Sequence, residues 1–465
     1  MQLQMRPDPT FYPSARLAMQ APREKLAYVA MLSADGNGTR DGLAVVDVDP
    51  DSKSYGKRIG ELVVTETGDE LHHFGWNACS AALCPYAPHP HVERRYLLLT
   101  GLRSSRIYVV DTKPDPRKPH IVKTIEPDQV KNRSGYSRLH TTHCGPDGIY
   151  MSALGSADGT GPGGVLILDH YNFDVLGRWE VDRGPQYLAY DFWWHLGHDV
   201  MVTSEWGTPD MIEDGLNPEL LLGGKYGHQL HFWDFRKRKH LQTVDFGAEN
   251  QAVLELRPSH NPTNTYGFVN VVISLKDLSS SIWVWHRDNG KWAATKVIDI
   301  PAEPADAEKL PPLLKGFNAV PPLLADIDLS LDDRFLYASC WGTGEMRQYD
   351  VSDPFKPKLV GSVHLGGIVR RTPHPAKPDQ PLNGGPQMVE ISRDGKRIYF
   401  TNSLYRSWDD QFYPDGVKSW MVKFDVGAEG GITPDNKFFL EFNDRRAHQV
   451  RLEGGDSSSD SYCYP

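Results

Sequence analysis

LAVVDVD (43–49) and RIYVVD (106–111) are two of seven short, β-rich runs that recur along the chain. All but one end in an aspartate, and the other five are VLILD (165–169), LHFWD (230–234), IWVWH (282–286), MRQYD (346–350) and WMVKFD (420–425). They are spaced roughly 50 to 75 residues apart, somewhat more than the about 40 to 50 residues of a usual propeller blade. Self-similarity on this scale indicates a repeat architecture.

The sequence around each run supplies the other strands of a blade. A second strand signal precedes each run, as in YLLLTG (96–101). Before several of these lies an inner-strand run closed by a turn, as in LHTTHCGPDG (139–148) and VEISRDGKR (389–397), where Asp-Gly suits a tight hairpin. A return strand such as KPKLVGSVHL (356–365) completes four strands. The pattern predicts an all-β, seven-bladed β-propeller.

The whole chain, 1–465, is predicted to be one propeller domain. Independent β-sandwiches would need linkers of distinct composition, and the sequence contains none. Residues 1–22 are expected to form an N-terminal arm. Because a closed ring removes exposed sheet edges, the last blade must meet the first. Residues 445–465 are predicted to provide the closing strand and a tail, which places His448 on the central channel.

Composition excludes several classes of protein. Among 465 residues the net charge is -10 and charged residues of both signs make up 24%, so nucleic acid is not an expected partner. No apolar run approaches the roughly 18 residues of a membrane span. The five cysteines form no disulfide framework or CxxC pattern and are expected to be free thiols in a reducing compartment. The N-terminus lacks a secretory signal, so we expect a cytoplasmic protein, or a periplasmic one if a leader has been removed.

Histidines recur at the entry to neighbouring inner strands. Aligning the turns at 147–148 and 394–395 puts His140 in register with Gln387, and the preceding blade opens with the pair in DELHHFGWN. Imidazole is a common ligand for copper, zinc, iron and nickel, so histidines converging on a channel predict a metal site. The candidate ligands are His72, His73, His140, His143 and His448, with His198 and His260 near the inner turns of two further blades.

Strand geometry limits how many of these can be ligands. Adjacent His72 and His73 cannot both face one side of a regular strand, and His140 and His143 have the same problem. The sequence leaves open which member of each pair binds. Six other histidines are interpreted as loop or surface residues: His89, His91, His120, His170, His240 and His374.

Several long motifs resemble the selenium-binding protein / methanethiol oxidase family: DELHHFGWNACS (69–80), LHTTHC (139–144), TSEWG (203–207), LSLDDRFLYAS (329–339), SLYRSWDDQFYPD (403–415) and AHQVRLEGGDSSSD (447–460). The resemblance covers nearly the whole chain. It implies a seven-bladed propeller that converts methanethiol, O2 and water to formaldehyde, hydrogen sulfide and hydrogen peroxide. Copper is the implied cofactor, and a His-rich site is its implied place.

The resemblance also implies a selenium- or thiol-binding cysteine at Cys79. Animal members carry CSSC here, whereas the next cysteine of this chain is Cys84, and the loss of the close pair weakens the case for selenium. The sequence identifies no catalytic residue. Glu205, Asp409 and Asp410 are candidates only for acid–base or ligand-supporting groups.

Two alternatives remain open at this point. Propellers are common scaffolds, so the chain is alternatively a non-catalytic propeller that binds selenium, a thiol or a partner. An enzyme that uses a hard cation would need carboxylates in the channel, for which Asp326 and Asp328 are the candidates.

Overall fold

The computed structural model describes residues 7–34, 38–86, 88–89 and 91–465. Within these residues the chain forms seven four-stranded antiparallel sheets and one small two-stranded sheet. The seven sheets are the blades of a closed β-propeller around a central channel. The predicted all-β, seven-bladed architecture is therefore confirmed.

Each blade takes its strands from the chain in order, starting with the innermost, except that blade 1 begins at its second strand. Blades 1 to 3 contain Leu26–Ser33 (β1), Gly42–Asp47 (β2) and Arg58–Val63 (β3); Leu71–Trp76 (β4), Tyr96–Gly101 (β5), Ile107–Asp111 (β6) and His120–Ile125 (β7); and Tyr136–Cys144 (β8), Ile149–Ser156 (β9), Gly164–Leu168 (β10) and Val175–Arg178 (β11).

Blades 4 and 5 contain Phe192–His195 (β12), Val200–Thr203 (β13), Gln229–Asp234 (β14) and Lys239–Asp245 (β15); and Asn250–Pro258 (β16), Tyr266–Ser274 (β17), Ser280–Asp288 (β18) and Lys291–Ile300 (β19). The small sheet follows, formed by Glu303–Pro304 (β20) and Ala319–Val320 (β21). Blades 6 and 7 contain Leu324–Leu329 (β22), Phe335–Cys340 (β23), Glu345–Asp350 (β24) and Lys358–His364 (β25); and Val389–Ile391 (β26), Arg397–Thr401 (β27), Ser419–Val426 (β28) and Ile432–Phe442 (β29).

Helices are short and lie in the connections between strands. They are Ala15–Ala18 (α1), Pro127–Ser134 (α2), Pro209–Ile212 (α3), Pro218–Leu222 (α4) and Arg406–Phe412 (α5), with 3₁₀ turns at Ser80–Leu83, Leu196–His198, Ala307–Lys309 and Lys315–Phe317. In the part of the chain that the structure describes, none of these helices has the length and apolar character needed to cross a membrane.

The recurring runs of the sequence are the third strand from the channel in each blade, namely β2, β6, β10, β14, β18, β24 and β28. The second and third strands of a blade are packed on both faces, so that every residue of β1 and β2 is buried, whereas every residue of the outermost strand β3 is exposed or half-buried. Strands covered on both faces read as continuous apolar runs rather than alternating ones. This is why the third strands stand out in the sequence.

Ring closure comes from the segment Arg445–Leu452 (β30), which is the innermost strand of blade 1. It pairs antiparallel with β1, so that Ala447 lies opposite Met31 and Arg445 opposite Ser33. The predicted closing strand is confirmed, and His448 faces the channel from it.

The residues after β30 cross one end of the channel, which we call the tail end. Ser457 Oγ donates a hydrogen bond to Asp328 Oδ2 (2.6 Å), and Arg94 forms an ion pair with Asp460 (2.6 Å). These contacts hold the tail against blades 2 and 6. The opposite end of the channel, where the inner strands begin, is called here the cavity end.

The prediction of five free thiols is wrong for two cysteines. Cys84 and Cys463 form a disulfide, whereas Cys79, Cys144 and Cys340 are free and buried. The bonded residues are 379 positions apart in the sequence and meet only because the tail returns to blade 2. The disulfide removes the argument from thiol count for a reducing compartment, since such bonds occur both in oxidising compartments and inside hyperthermophilic cells.

Thiol counting tests this pairing. Alkylation of the denatured, unreduced protein is expected to label three cysteines, and reduction should raise the number to five. Because the bond constrains the unfolded chain, Cys463→Ser should lower the free energy of unfolding by about 2–4 kcal/mol. In the matched variant Cys340→Ser, two cysteines should be labelled before reduction and four after it. Labelling of all five cysteines before reduction would contradict the pairing.

Candidate metal centre

Four histidines converge on the channel from three neighbouring inner strands. His72 and His73 come from β4, His140 from β8 and His448 from β30, and all four are buried. The ring centroids are 3.6 Å apart for His72 and His448 and 3.9 Å apart for His73 and His140. One nitrogen from each of His72, His73 and His140 lies within 4.8 Å of the others. We call these four residues the His cluster.

A β-bulge allows both adjacent histidines to enter the cluster. The register of β4 with β5 shifts between Leu71 and Phe74, so that His72 and His73 together stand opposite the single residue Thr100. A bulge places two residues against one and re-aims the side chains. The expectation that only one of the two could face the site was therefore wrong, because it assumed a regular strand.

The same irregularity occurs at the other two strands of the cluster. The register of β8 shifts between Leu139 and Thr142, around His140, and the register of β30 with β1 shifts at His448 and Gln449. β16 and β22 carry equivalent shifts at Leu254 and at Ala325, where apolar side chains replace the imidazoles.

A residue with left-handed backbone conformation (positive φ) precedes four of these five bulges. It stands two positions before the first bulged residue in four strands: Glu70 (φ 55), Arg138 (φ 58), Ala252 (φ 59) and Leu323 (φ 48). Positive φ is unfavourable for side chains other than glycine and is found preferentially at functional sites. Four blades therefore share the same strained backbone geometry before the bulge. The residues at this position differ in type, so the local sequence does not predict the bulge.

Unpartnered nitrogens show that the cluster fits a metal ion. His72 Nδ1 and the Nε2 atoms of His73, His140 and His448 are buried without a hydrogen-bond partner among the described residues. Leaving a buried polar group unsatisfied costs about 1–3 kcal/mol, so four such atoms in one place call for a ligand. Neutral imidazoles are also the form in which histidine binds metals.

Burial keeps these imidazoles neutral. It lowers the pKa of His72, His73 and His140 well below the usual value of 6.5, with neighbouring imidazoles as a further cause. Burial likewise lowers the pKa of His448 to about 3. At neutral pH all four can therefore offer a lone pair without first losing a proton.

A hydrogen-bond chain orients His448. Its Nδ1 donates to the Ser403 carbonyl (2.7 Å), and Ser403 Oγ donates in turn to Asp409 Oδ2 (2.6 Å). Asp409 is fully buried and also forms an ion pair with Arg446 (3.1 Å). Fixing Nδ1 in this way leaves Nε2 to face the cluster, which is the usual arrangement around ligand histidines. Asp409 is thus a positioning residue.

An apolar cavity of about 90 Å³ reaches the cluster from the cavity end. Its wall includes Trp206, Leu254 and Trp408, and among the described residues that line it His72 alone carries an imidazole. Leu222 and Phe317 also line the cavity and are 65% and 48% exposed, so they mark its mouth. Sequence reasoning did not find this cavity, because its wall comes from five blades and their connections.

Two tyrosines border the cluster. The Tyr190 ring lies 4.2 Å from the His140 ring, and its hydroxyl donates to Glu255 (2.8 Å). The Tyr405 ring lies 6.0 Å from that of His72, and the Tyr405 hydroxyl is buried without a partner among the described residues. Within the described part of the chain, Tyr405 therefore has a free hydroxyl donor and lies beside His72.

The remaining predicted ligands do not join the cluster. His143 packs against the Trp193 ring (4.2 Å), and His198 is an exposed residue of a 3₁₀ turn. The His260 Nε2 lies 3.0 Å from the Leu329 carbonyl, with which it forms a hydrogen bond. Cys79 lies at the tail end, with its Sγ 3.7 Å from the Cys144 carbonyl oxygen.

The carboxylates considered for a hard cation face a guanidinium instead. Arg257 forms ion pairs with Asp326 and Asp328, both at 3.2 Å, and is itself buried. Glu205, a candidate acid–base group, lies 2.9 Å from His231 and away from the cluster. A cation at Asp326 and Asp328 would have to displace the arginine.

Three histidines interpreted as surface residues are buried. His89, His170 and His374 are 5%, 8% and 0% exposed, respectively. His89 and His170 lie in loops, as expected, but these loops fold over the tail end, where both side chains approach Cys144. Sequence alone could not reveal this, because loop residues far apart in the chain share no periodicity.

Comparison with known proteins gives a consistent result over the whole chain. A solved structure described as a hypothetical selenium-binding protein from Sulfolobus tokodaii is 60% identical, with a TM-score of 0.96, and covers 98% of this chain and 100% of its own. Proteins named methanethiol oxidase from Xenopus tropicalis and Homo sapiens are 42% and 40% identical, each covering 95% of this chain and 96% of the relative. The profile of the 56kDa selenium binding protein family matches residues 5–463. The chain belongs to this family.

Proposed function

We propose that this chain oxidises small thiols, with methanethiol as the reference substrate, at a copper ion held by the His cluster. The observation that carries the proposal is the convergence of four unpartnered, buried imidazole nitrogens at the end of an apolar cavity. The relatives named methanethiol oxidase support the reaction class.

The proposed reaction converts methanethiol, O2 and water to formaldehyde, hydrogen sulfide and hydrogen peroxide. The methyl carbon loses two electrons, and O2 takes up these electrons with two protons to give peroxide. Water supplies the oxygen of formaldehyde, and the carbon–sulfur bond breaks to release sulfide. When bound, copper supplies a soft acceptor for the thiolate and an electron couple toward O2.

Residues of the chain would bind the metal and orient its ligands. His72, His73, His140 and His448 would hold the metal, while Ser403 and Asp409 keep the His448 ring oriented.

The cavity would hold the substrate. Its wall of Trp206, Leu254 and Trp408 excludes water and suits the apolar methyl group of the thiol. Burial raises the pKa of Tyr405 far above its usual value, so its hydroxyl stays protonated and can donate a hydrogen bond.

Substitution of one cluster histidine tests the metal assignment. His73→Ala is expected to lose copper and to lower kcat/KM for methanethiol by more than the roughly 10–100-fold typical for groups that only support a ligand. Copper content, sulfide release and peroxide release are measured on the copper-reconstituted protein. The exposed His198→Ala variant is the matched control and should retain both copper and turnover.

The same measurements separate the oxidase from the alternative of a binding scaffold. A native chain that takes up no stoichiometric copper at the cluster and releases no peroxide would contradict the oxidase and favour a non-catalytic thiol-binding propeller. Loss of activity in His198→Ala with retention in His73→Ala would show that the site lies elsewhere.

Narrowing the cavity tests where the thiol binds. Ala325 lines the cavity at the bulge position equivalent to that of His72, so Ala325→Leu adds three carbons beside the cluster. We expect turnover of propanethiol to fall at least several-fold more than turnover of methanethiol, because the longer chain needs the filled space. Copper content should not change. Equal losses for the two thiols would argue against this cavity as the substrate site.

A further inference from the structure

A second group of potential metal ligands lies at the tail end, between blades 2 and 3. The Cys144 Sγ lies 3.5 Å from His89 Nε2 and 3.8 Å from His170 Nε2. The two imidazole rings are stacked, with centroids 4.8 Å apart and planes inclined by 22°. All three side chains are buried, and one ligand atom from each lies within 4.8 Å of the others.

These separations match those of ligands around one small ion. With zinc–sulfur and zinc–nitrogen bonds of about 2.3 and 2.05 Å, a tetrahedral site places sulfur about 3.6 Å from each nitrogen. The observed sulfur–nitrogen distances lie on either side of this value. A tetrahedral site would place the two nitrogens about 3.3 Å apart. In the structure they lie within 4.8 Å of each other.

Three separate chain segments supply the ligands. Cys144 is the last residue of β8, and His170 follows β10 in the same blade. His89 lies in the loop after the 3₁₀ turn Ser80–Leu83, where its N–H donates to the Ala82 carbonyl (3.1 Å). Cys84 ties this same loop to the tail through its disulfide. The ligands are thus held near one another by the fold.

The group is separate from the His cluster. His140 and Cys144 lie on the same strand four residues apart, which corresponds to about 13 Å at the usual rise of a strand. No single ion can therefore contact both groups. The donor sets also differ, since only the tail-end group combines a thiolate with imidazoles.

We propose that His89, Cys144 and His170 form a second metal site that binds one zinc ion. A thiolate and two imidazoles are ligands that zinc prefers, and three protein ligands leave a fourth position for water. The bound ion links the loop of His89 to two segments of blade 3. Since the ion binds the folded chain, it should also raise the thermal midpoint of unfolding.

Cobalt provides the spectroscopic test. Titration of the chelator-treated chain with Co²⁺ should give a thiolate-to-cobalt charge-transfer band whose final intensity corresponds to one thiolate-bound ion per chain. Cys144→Ala should lose this band, and the matched variant Cys340→Ala, which removes another buried free cysteine, should keep it. Absence of the band in the native chain, or its persistence in Cys144→Ala, would overturn the proposal and leave a hydrogen-bonded group only.

A second measurement keeps the three proposed ligands intact, in case Cys144→Ala does not fold. Zinc-edge X-ray absorption of the His73→Ala chain, loaded with one equivalent of Zn²⁺, should show one sulfur scatterer at about 2.3 Å. A shell of nitrogen and oxygen alone would overturn the proposal. The thermal midpoint of this zinc-loaded chain should lie several degrees above that of the metal-free chain, and an unchanged midpoint would count against a structural role.

Discussion

The pairing of β30 with β1 is the constraint on which the rest of the structure depends. It inserts a C-terminal strand into the first blade and so fixes the circumference of the ring. Once the ring is closed, the inner strands must stand side by side around the channel. His448 then lies beside His72, although the two residues come from opposite ends of the chain.

Charged and neutral buried groups lie in different parts of the channel. Toward the tail end, buried carboxylates are matched by guanidinium groups, as where Arg257 meets Asp326 and Arg451 meets Glu390. Pairing is needed there because an unpaired buried charge is very costly. The imidazoles of the His cluster avoid that cost by staying neutral, but their nitrogens lack partners. A ligand that accepts lone pairs would satisfy these nitrogens. For His448, whose Nδ1–H is already donated to Ser403, an additional hydrogen-bond acceptor would not.

Much of the fold could be predicted because the third strands of the blades are covered on both faces. The runs that became β2 and β6 were visible as apolar stretches, and the turn alignment placed His140 at an inner strand. The entry of both His72 and His73 into the site could not be predicted. A bulge inserts one extra residue and so shifts, by one position, which side chains face the channel. Its cause lies in the packing against neighbouring strands rather than in the local sequence.

The sequence by itself determined the number of blades, the closing segment and the presence of histidines at three neighbouring inner strands. Tertiary structure alone decided that His143, His198 and His260 stay outside the cluster and that Cys84 meets Cys463. It also brought His89 to Cys144. The physical reason is range: repeat spacing and strand period report on neighbours along the chain, whereas these contacts arise between distant segments that meet only when the ring closes and the tail folds across its end.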